Sequence, residues 1–134
     1  MEKTYSYGVI GGGAWGTALA CVLARRNSGA SDATQTVKLW AREAETVEAI
    51  NRHHENRPFL ANVRLPENII ASSNLTTLAD CDIILMVAPA QFARPIIAQL
   101  APLLSRDTSL VLCAKGVERG SLKFMSQMAE EYVP

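Results

Sequence analysis

The sequence has no excess of either charge, and this absence limits the partners that the protein can have. Among 134 residues, 13 are basic and 13 are acidic, so the formal net charge is zero. A neutral chain has no overall field that attracts nucleic acid or an anionic membrane surface. We therefore expect no nucleic-acid partner, and any anion that the protein binds must be held by local groups.

The sequence also shows no pattern typical of a membrane-spanning segment or of a secretory signal. The longest stretch without charge, residues 4–24, contains five glycines, and a spanning helix is not built in this way. The N-terminus lacks a basic region followed by an apolar block and a small-residue cleavage site. We therefore expect neither membrane insertion nor secretion.

Cysteine is scarce and shows no framework. Cys21, Cys81 and Cys113 are odd in number and far apart, which favours free thiols over disulfides, metal ligands or nucleophiles. Free thiols are typical of a reducing compartment, so a cytoplasmic location is expected. The adjacent His53 and His54 have no partner at ligand spacing, and we expect no metal site.

What the sequence does contain is an ordinary globular composition with a regular alternation of patterns. Apolar residues make up 49% and charged residues 19%, and the length fits one domain over residues 1–134. Short, continuously apolar runs predict five strands, at residues 7–11, 37–41, 69–71, 83–87 and 110–114. Because these runs are apolar throughout and alternate with helical patterns, they indicate an α/β fold with a parallel sheet covered on both faces.

The helical patterns between these strands are amphipathic. The first helix follows residue 11 and is predicted to face inward with Leu19, Val22 and Leu23. Further helices are predicted at residues 43–51, at residues 92–104 with an end or bend at Pro102, and at residues 122–132. Residues 27–36, rich in small and polar side chains, are predicted to be a surface loop.

A glycine-rich loop directly after the first strand is the strongest functional signal. Gly11, Gly13 and Gly16 satisfy the pattern GxGxxG, with a strand before it and a helix after it. In a doubly wound (Rossmann) fold these glycines allow a tight turn, a close approach to a diphosphate and close helix packing. No charged residue occurs between Lys3 and Arg25, so the positive end of the helix dipole is available to a phosphate. The alternative is that the glycines only make a sharp turn.

Trp15 in this loop and Arg42 after the second strand each allow two interpretations. Trp15 could shield a bound dinucleotide or only wedge its helix against a neighbouring loop. Arg42 stands where an NAD-specific site usually has an acid, and it could bind a 2′-phosphate instead. The sequence therefore predicts that NADP is accepted and preferred, the alternative being that Arg42 is a solvated residue at a helix start.

Lys115 follows the last predicted strand and precedes Gly116. Ligands of open parallel sheets bind outside the carboxyl ends of the strands, so Lys115 could bind a phosphate or a substrate hydroxyl at the rim of that crevice. A solvated loop lysine is the alternative that the residues alone favour.

Taken together, these residues resemble the N-terminal domain of bacterial-type NAD(P)-dependent glycerol-3-phosphate dehydrogenases. The matching motifs occur in the family's order along almost the whole chain, and they are residues 13–20, 39–42, 56–66, 87–91 and 114–118. The lysine-glycine pair within the last motif is the most specific. The chain departs from the family pattern at Ala14, Ala61 and Ala90, where a hydroxyl residue, a proline and a serine are usual, and residues 27–36 are longer than usual.

The resemblance implies roles for individual residues and for a part of the protein beyond this chain. It implies that Ala14, Trp15 and Arg42 line the NADPH site and that Lys115 contacts both cofactor and glycerol phosphate. At Ala14 only the backbone is left to make that contact. A helical second domain, with the proton-transferring lysine, would follow Pro134, so we expect this chain to bind NAD(P)H weakly and to show no turnover.

The activity implied by the resemblance is the reduction of dihydroxyacetone phosphate to sn-glycerol 3-phosphate, a phospholipid precursor, by a homodimeric full-length enzyme. Two alternatives stay open. A non-catalytic NAD(P)-sensing module would share the glycine loop without needing Lys115. Another dehydrogenase with the same two-domain plan, such as a ketopantoate or sugar-nucleotide enzyme, would share the fold.

Overall fold

The structure, a computed structural model, describes residues 4–27 and 36–133 and contains one parallel sheet. Its strands are β1 (Tyr7–Ile10), β2 (Val37–Trp40), β3 (Ile69–Ser72), β4 (Ile83–Met86) and β5 (Ser109–Leu112). They are ordered β3-β2-β1-β4-β5, and every neighbouring pair is parallel. The predicted doubly wound sheet is confirmed. The chain runs from β1 outward through β2 to β3, then returns to place β4 on the other side of β1, with β5 beyond it.

The described helices cover the two faces of this sheet and form a separate apolar core on each face. They are α1 (Ala14–Asn27), α2 (Ala44–His53), α3 (Ala90–Leu100) and α4 (Met125–Ala129). Val9 belongs to the core that contains residues of α1 and α2, and Ile10 belongs to the core that contains residues of α3 and α4. Successive strand residues point to opposite faces, and both of these side chains are fully buried, so β1 is covered on both sides.

The inner face of α1 differs in part from the predicted one. Val22 is 62% exposed, whereas Leu23 is partly buried against the core as predicted. The buried residues of the helix are Gly16, Thr17, Ala20, Cys21 and Ala24. A Cβ on Gly16 would lie 2.0 Å from the carbonyl oxygen of Gly11, so the helix runs very close to the end of β1. Small side chains fit against the sheet at this separation, which is why the periodicity of the large residues was misleading. The predicted loop at residues 27–36 lies mostly outside the described residues, since only its two ends are described.

The predicted last helix is wrong in length. Only α4 forms, and the preceding residues make a turn in which Val117 and Phe124 pair as an antiparallel bridge. Leu122 has a φ of 58°, a left-handed conformation that a right-handed helix cannot include. By contrast, α3 ends before Pro102 as predicted, and a single 3-10 turn, Ala101–Leu103, follows it.

The segment after β5 is held by side chains of α3. Arg94 donates from Nε and Nη2 to the two carboxylate oxygens of Glu118 at 2.8 and 2.7 Å. Its Nη1 donates to Glu131 at 2.5 Å and to the hydroxyl of Tyr132 at 3.0 Å. These bonds to Arg94, with help from Ser121 and Lys123 respectively, lower the pKa of Glu118 and of Glu131 to about 2.

The Arg94 network predicts how stability depends on pH. The lowered pKa of Glu118 and Glu131 means that their contribution is fully present above the ordinary carboxyl pKa of 4.5 and is lost as the pH falls through about 2. Replacing Arg94 by Met removes the cation, so the free energy of unfolding should fall less steeply over this interval than in the wild type. Urea unfolding at several pH values measures it.

The matched control for this experiment is Arg52→Met. Arg52 pairs with Glu48 on the exposed side of α2, with its side chain 73% exposed, so its removal should leave the pH slope unchanged. Parallel pH profiles for the wild type and Arg94→Met would show that the network does not act as described.

Candidate functional site

A cavity of about 600 Å³ lies at the carboxyl edge of the sheet, where the strand order reverses between β1 and β4. Open parallel sheets bind ligands at this position, and the volume is typical of a small-molecule site. Its wall consists of residues 11–16, Trp40, Arg42, Glu43, Phe59, Leu75, Val87, Ala88, Pro89, Phe92, Pro95, Ile96 and Gln99. The structure therefore brings together Gly11, Gly13, Ala14, Trp15, Gly16 and Arg42 around one space.

The three motif glycines have different structural roles. Gly11 has a φ of 131°, a value that residues other than glycine rarely adopt, and it turns the chain out of β1. There is no room for a methyl group at Gly16, because it would collide with the carbonyl oxygen of Gly11. A Cβ on Gly13 would have no other described atom within 4 Å, so this glycine leaves open space on the cavity side rather than relieving a clash within the protein.

The start of α1 is suited electrostatically to an anion. The helix begins at Ala14 with no acidic residue in its first turn, and basic residues Arg25 and Arg26 stand in its last turn. The free N–H groups at the helix N-terminus and the helix dipole together favour a phosphate at this end. Trp15, in the first turn, is 63% exposed and lines the cavity.

Arg42 is exposed and lies in the cavity wall two residues after β2. Its guanidinium carbon is 5.3 Å from the centre of the Phe92 ring, a cation–π distance. Glu43, the next residue, is the N-cap of α2 and also lines the cavity. The arrangement supplies one cation at the end of β2 where the sequence predicted it.

Most of the apolar wall was missed by the sequence analysis. Pro89 lies in the segment after β4 that the sequence analysis matched to the family at residues 87–91, but no role was predicted for it, and Phe92 lies in the first turn of α3. Phe59 and Leu75 come from the connections that flank β3, where no local pattern signals their approach to the glycine loop. The wall nevertheless offers apolar and aromatic side chains beside a cationic group, which suits an aromatic base.

Lys115 is not part of this cavity wall. It is exposed and follows β5, the neighbour of β4, and Gly116 after it has a φ of 91°. Its loop is fixed to α3, because Gln91 accepts from the backbone N–H of Arg119 at 3.0 Å and donates to the carbonyl of Val117 at 3.1 Å. The lysine thus stands on the same edge of the sheet as the cavity but outside its wall.

The remaining candidate groups are chemically quiet in the described part of the chain. Burial raises the pKa of the Cys81 thiol to about 11 and raises that of Cys21 and Cys113 as well, so all three thiols are protonated at neutral pH. No cluster of histidine, cysteine and acidic side chains among these residues could hold a metal ion. None of the described helices is both long and apolar enough to cross a bilayer.

A parallel sheet in this order, with a glycine loop between β1 and α1 facing a cavity at the carboxyl edge, defines a Rossmann dinucleotide-binding domain. Comparison with known proteins identifies the group within this class. The chain belongs to the family described as NAD-dependent glycerol-3-phosphate dehydrogenase N-terminus, whose model matches residues 6–134.

Individual relatives agree with this assignment. The chain is 51% identical over 127 residues to glycerol-3-phosphate dehydrogenase [NAD(P)+] of Caulobacter vibrioides, covering 95% of this chain and 36% of the relative. It is 42% identical over all 134 residues to the Maricaulis maris protein of the same name, of which it covers 38%. The crystal structure of glycerol-3-phosphate dehydrogenase from Coxiella burnetii superposes with a TM-score of 0.84 at 29% identity, over 97% of this chain and 38% of that one. The chain therefore spans little more than a third of the length of these relatives.

The contrast between Gly13 and Gly16 gives a test of the site. Gly13→Ala should leave the free energy of unfolding nearly unchanged, because its methyl group meets no other described atom within 4 Å, but it should weaken NADPH binding about tenfold or more by filling the phosphate space. Gly16→Ala should cost at least the ~1–3 kcal/mol typical of overpacking, since its methyl would collide with backbone. Urea unfolding and calorimetric titration separate the two effects. Unaltered NADPH affinity in a folded Gly13→Ala protein would contradict this interpretation of the loop.

Proposed function

We propose that this chain is the cofactor-binding half of an enzyme that interconverts dihydroxyacetone phosphate and sn-glycerol 3-phosphate with NAD(P)H, in glycerophospholipid biosynthesis. The observation that carries the proposal is the cavity at the β1–α1 loop, which joins bare backbone, a helix N-terminus and an apolar wall in a chain of this family. The full-length enzyme would be a cytoplasmic homodimer.

Each part of the cavity suits one part of the dinucleotide. The diphosphate fits at Gly13 and the first turn of α1, where open space and a positive dipole end coincide. The adenine fits against the apolar wall near Phe92. The bound nicotinamide would supply the hydride, and the part of this chain is to orient the cofactor and to exclude water from it.

Arg42 supports a preference for NADPH. Its guanidinium lies in the wall beside Phe92, at the end of β2, where a 2′-phosphate on the adenosine ribose would come within reach. A guanidinium binds phosphate through two parallel hydrogen bonds, whereas NADH offers only ribose hydroxyls there.

Exchanging Arg42 for Asp tests this preference. A hydrogen bond between charged groups contributes about 1.5–3 kcal/mol, so the Kd for NADPH should rise by roughly tenfold to a hundredfold while that for NADH changes little or falls. Calorimetric titration with both cofactors measures the ratio. Arg52→Asp, at the opposite end of α2, makes the same change of charge and should leave the ratio as in the wild type. An unchanged ratio in Arg42→Asp would remove this residue from cofactor selection.

Lys115 is the proposed contact to both the cofactor and the substrate phosphate. It lies outside the cavity wall, so the contact requires the ligands to extend from the cavity toward the end of β5. A non-catalytic sensor would need no lysine here, and the catalytic proton transfer of the enzyme would come from a second domain. On this proposal the chain by itself binds NAD(P)H weakly and shows no turnover.

Lys115→Met distinguishes the enzyme from the sensor. We expect Lys115→Met to bind NADPH several-fold more weakly, because the cofactor no longer contacts an ammonium group. Any increase in NADPH affinity that dihydroxyacetone phosphate causes in the wild-type chain should also be lost, because the substrate phosphate no longer contacts that group. Lys38→Met, which removes an ammonium that pairs with Asp80, is the control and should change neither. Equal behaviour of the two variants would favour the sensor, and steady-state reduction by this chain alone would overturn the assignment of catalysis to a second domain.

A further inference from the structure

A buried asparagine lies beneath the glycine loop. Asn56 belongs to the connection between α2 and β3, and none of it is exposed. Its amide nitrogen donates to the carbonyl oxygen of Gly12 at 2.8 Å and to the hydroxyl of Thr17 at 2.8 Å. A residue more than forty positions away in the sequence thus holds the centre of the loop.

The bond from Asn56 determines which way one peptide group faces. None of the described peptide bonds is cis, and in a trans peptide the C=O and the N–H point in opposite directions. Because the Gly12 carbonyl is turned inward to Asn56, the N–H of Gly13 is turned outward. Gly13 lines the cavity and leaves open space beside it, so this N–H faces the volume where an anion would lie.

The loop needs such a support. Residues 11–13 are three consecutive glycines, and glycine accepts either sign of φ, so the chain itself gives little preference for one orientation of the Gly12–Gly13 peptide. The hydroxyl of Thr17 also lies 3.5 Å from the Gly12 carbonyl, and Thr17 is itself fully buried. Asn56 and Thr17 thus both present a polar group to the Gly12 carbonyl from beneath the loop.

The chemistry of Asn56 fits this task better than a packing role. The Gly12 carbonyl only accepts hydrogen bonds, so the amide nitrogen and not the oxygen must face it. The amide oxygen of Asn56 is buried without a partner among the described residues. An unpaired buried oxygen destabilises the fold, and an apolar side chain of similar shape would avoid that cost.

We propose that Asn56 is a positioning residue for the cofactor diphosphate: by holding the Gly12 carbonyl inward, it keeps the Gly13 N–H directed at the phosphate oxygens. It acts through the loop and does not touch the cofactor. The inference rests on the proposed function, since it requires a dinucleotide in the cavity.

The test compares a ligand that has the diphosphate with one that lacks it. Asn56→Leu and the smaller Asn56→Ala both remove the donor without adding charge, and ADP-ribose and adenosine are titrated by NMR against each variant. We expect the Kd for ADP-ribose to rise about tenfold and that for adenosine to stay within about twofold. The shift of the Gly13 amide resonance that ADP-ribose causes in the wild type should be largely lost.

The control is Asn51→Leu together with Asn51→Ala. The side-chain amide of Asn51 also hydrogen-bonds to backbone, accepting from the N–H of Ala71 and donating to its C=O. This partner lies in β3 and not in the glycine loop. The Asn51 variants should change neither affinity. Equal losses for both ligands in the Asn56 variants, or no loss, would overturn the positioning role while leaving the proposed function intact. A wild-type chain that binds neither ligand would overturn the proposed function and this inference with it.

Discussion

The close approach of α1 to the end of β1 is the constraint on which the site depends. It exists because Gly16 has no side chain, since even one carbon there would lie 2.0 Å from the Gly11 carbonyl oxygen. At this separation the chain turns from strand to helix within a few residues, and the helix N-terminus lies at the edge of the sheet. The small residues Ala20 and Ala24, which continue the same packing, are both fully buried.

A second level of support comes from parts of the chain that are distant in sequence. The connection between α2 and β3 contributes Asn56 beneath the loop and Phe59 to the wall above it. The same connection is pinned at its other end, where Leu65 donates to the carbonyl of His54 at 2.8 Å and is itself buried. A long polar stretch without regular structure therefore supports the glycine loop and contributes to the cavity wall.

The sequence was sufficient where structure is determined locally. The five strands are continuous apolar runs, and Gly11, Gly13 and Gly16 stand between a strand and a helix, so sheet, loop and the position of Arg42 could all be predicted. It was insufficient where tertiary contacts decide. Val22 is exposed because close packing selects small residues on α1, and the last helix is short because Leu122 adopts a left-handed turn. The approach of Phe59 and Leu75 to the cavity likewise has no local signature.

Helix α3 contributes to two different surfaces at once. Phe92, Pro95 and Gln99 line the cavity, whereas Gln91 and Arg94 hold the segment that follows β5. Phe92 in the cavity wall and the backbone beside Lys115 are thus both attached to one helix. The distance between them is set by the geometry of this helix and not by a flexible loop, so a shift of the helix would move both together.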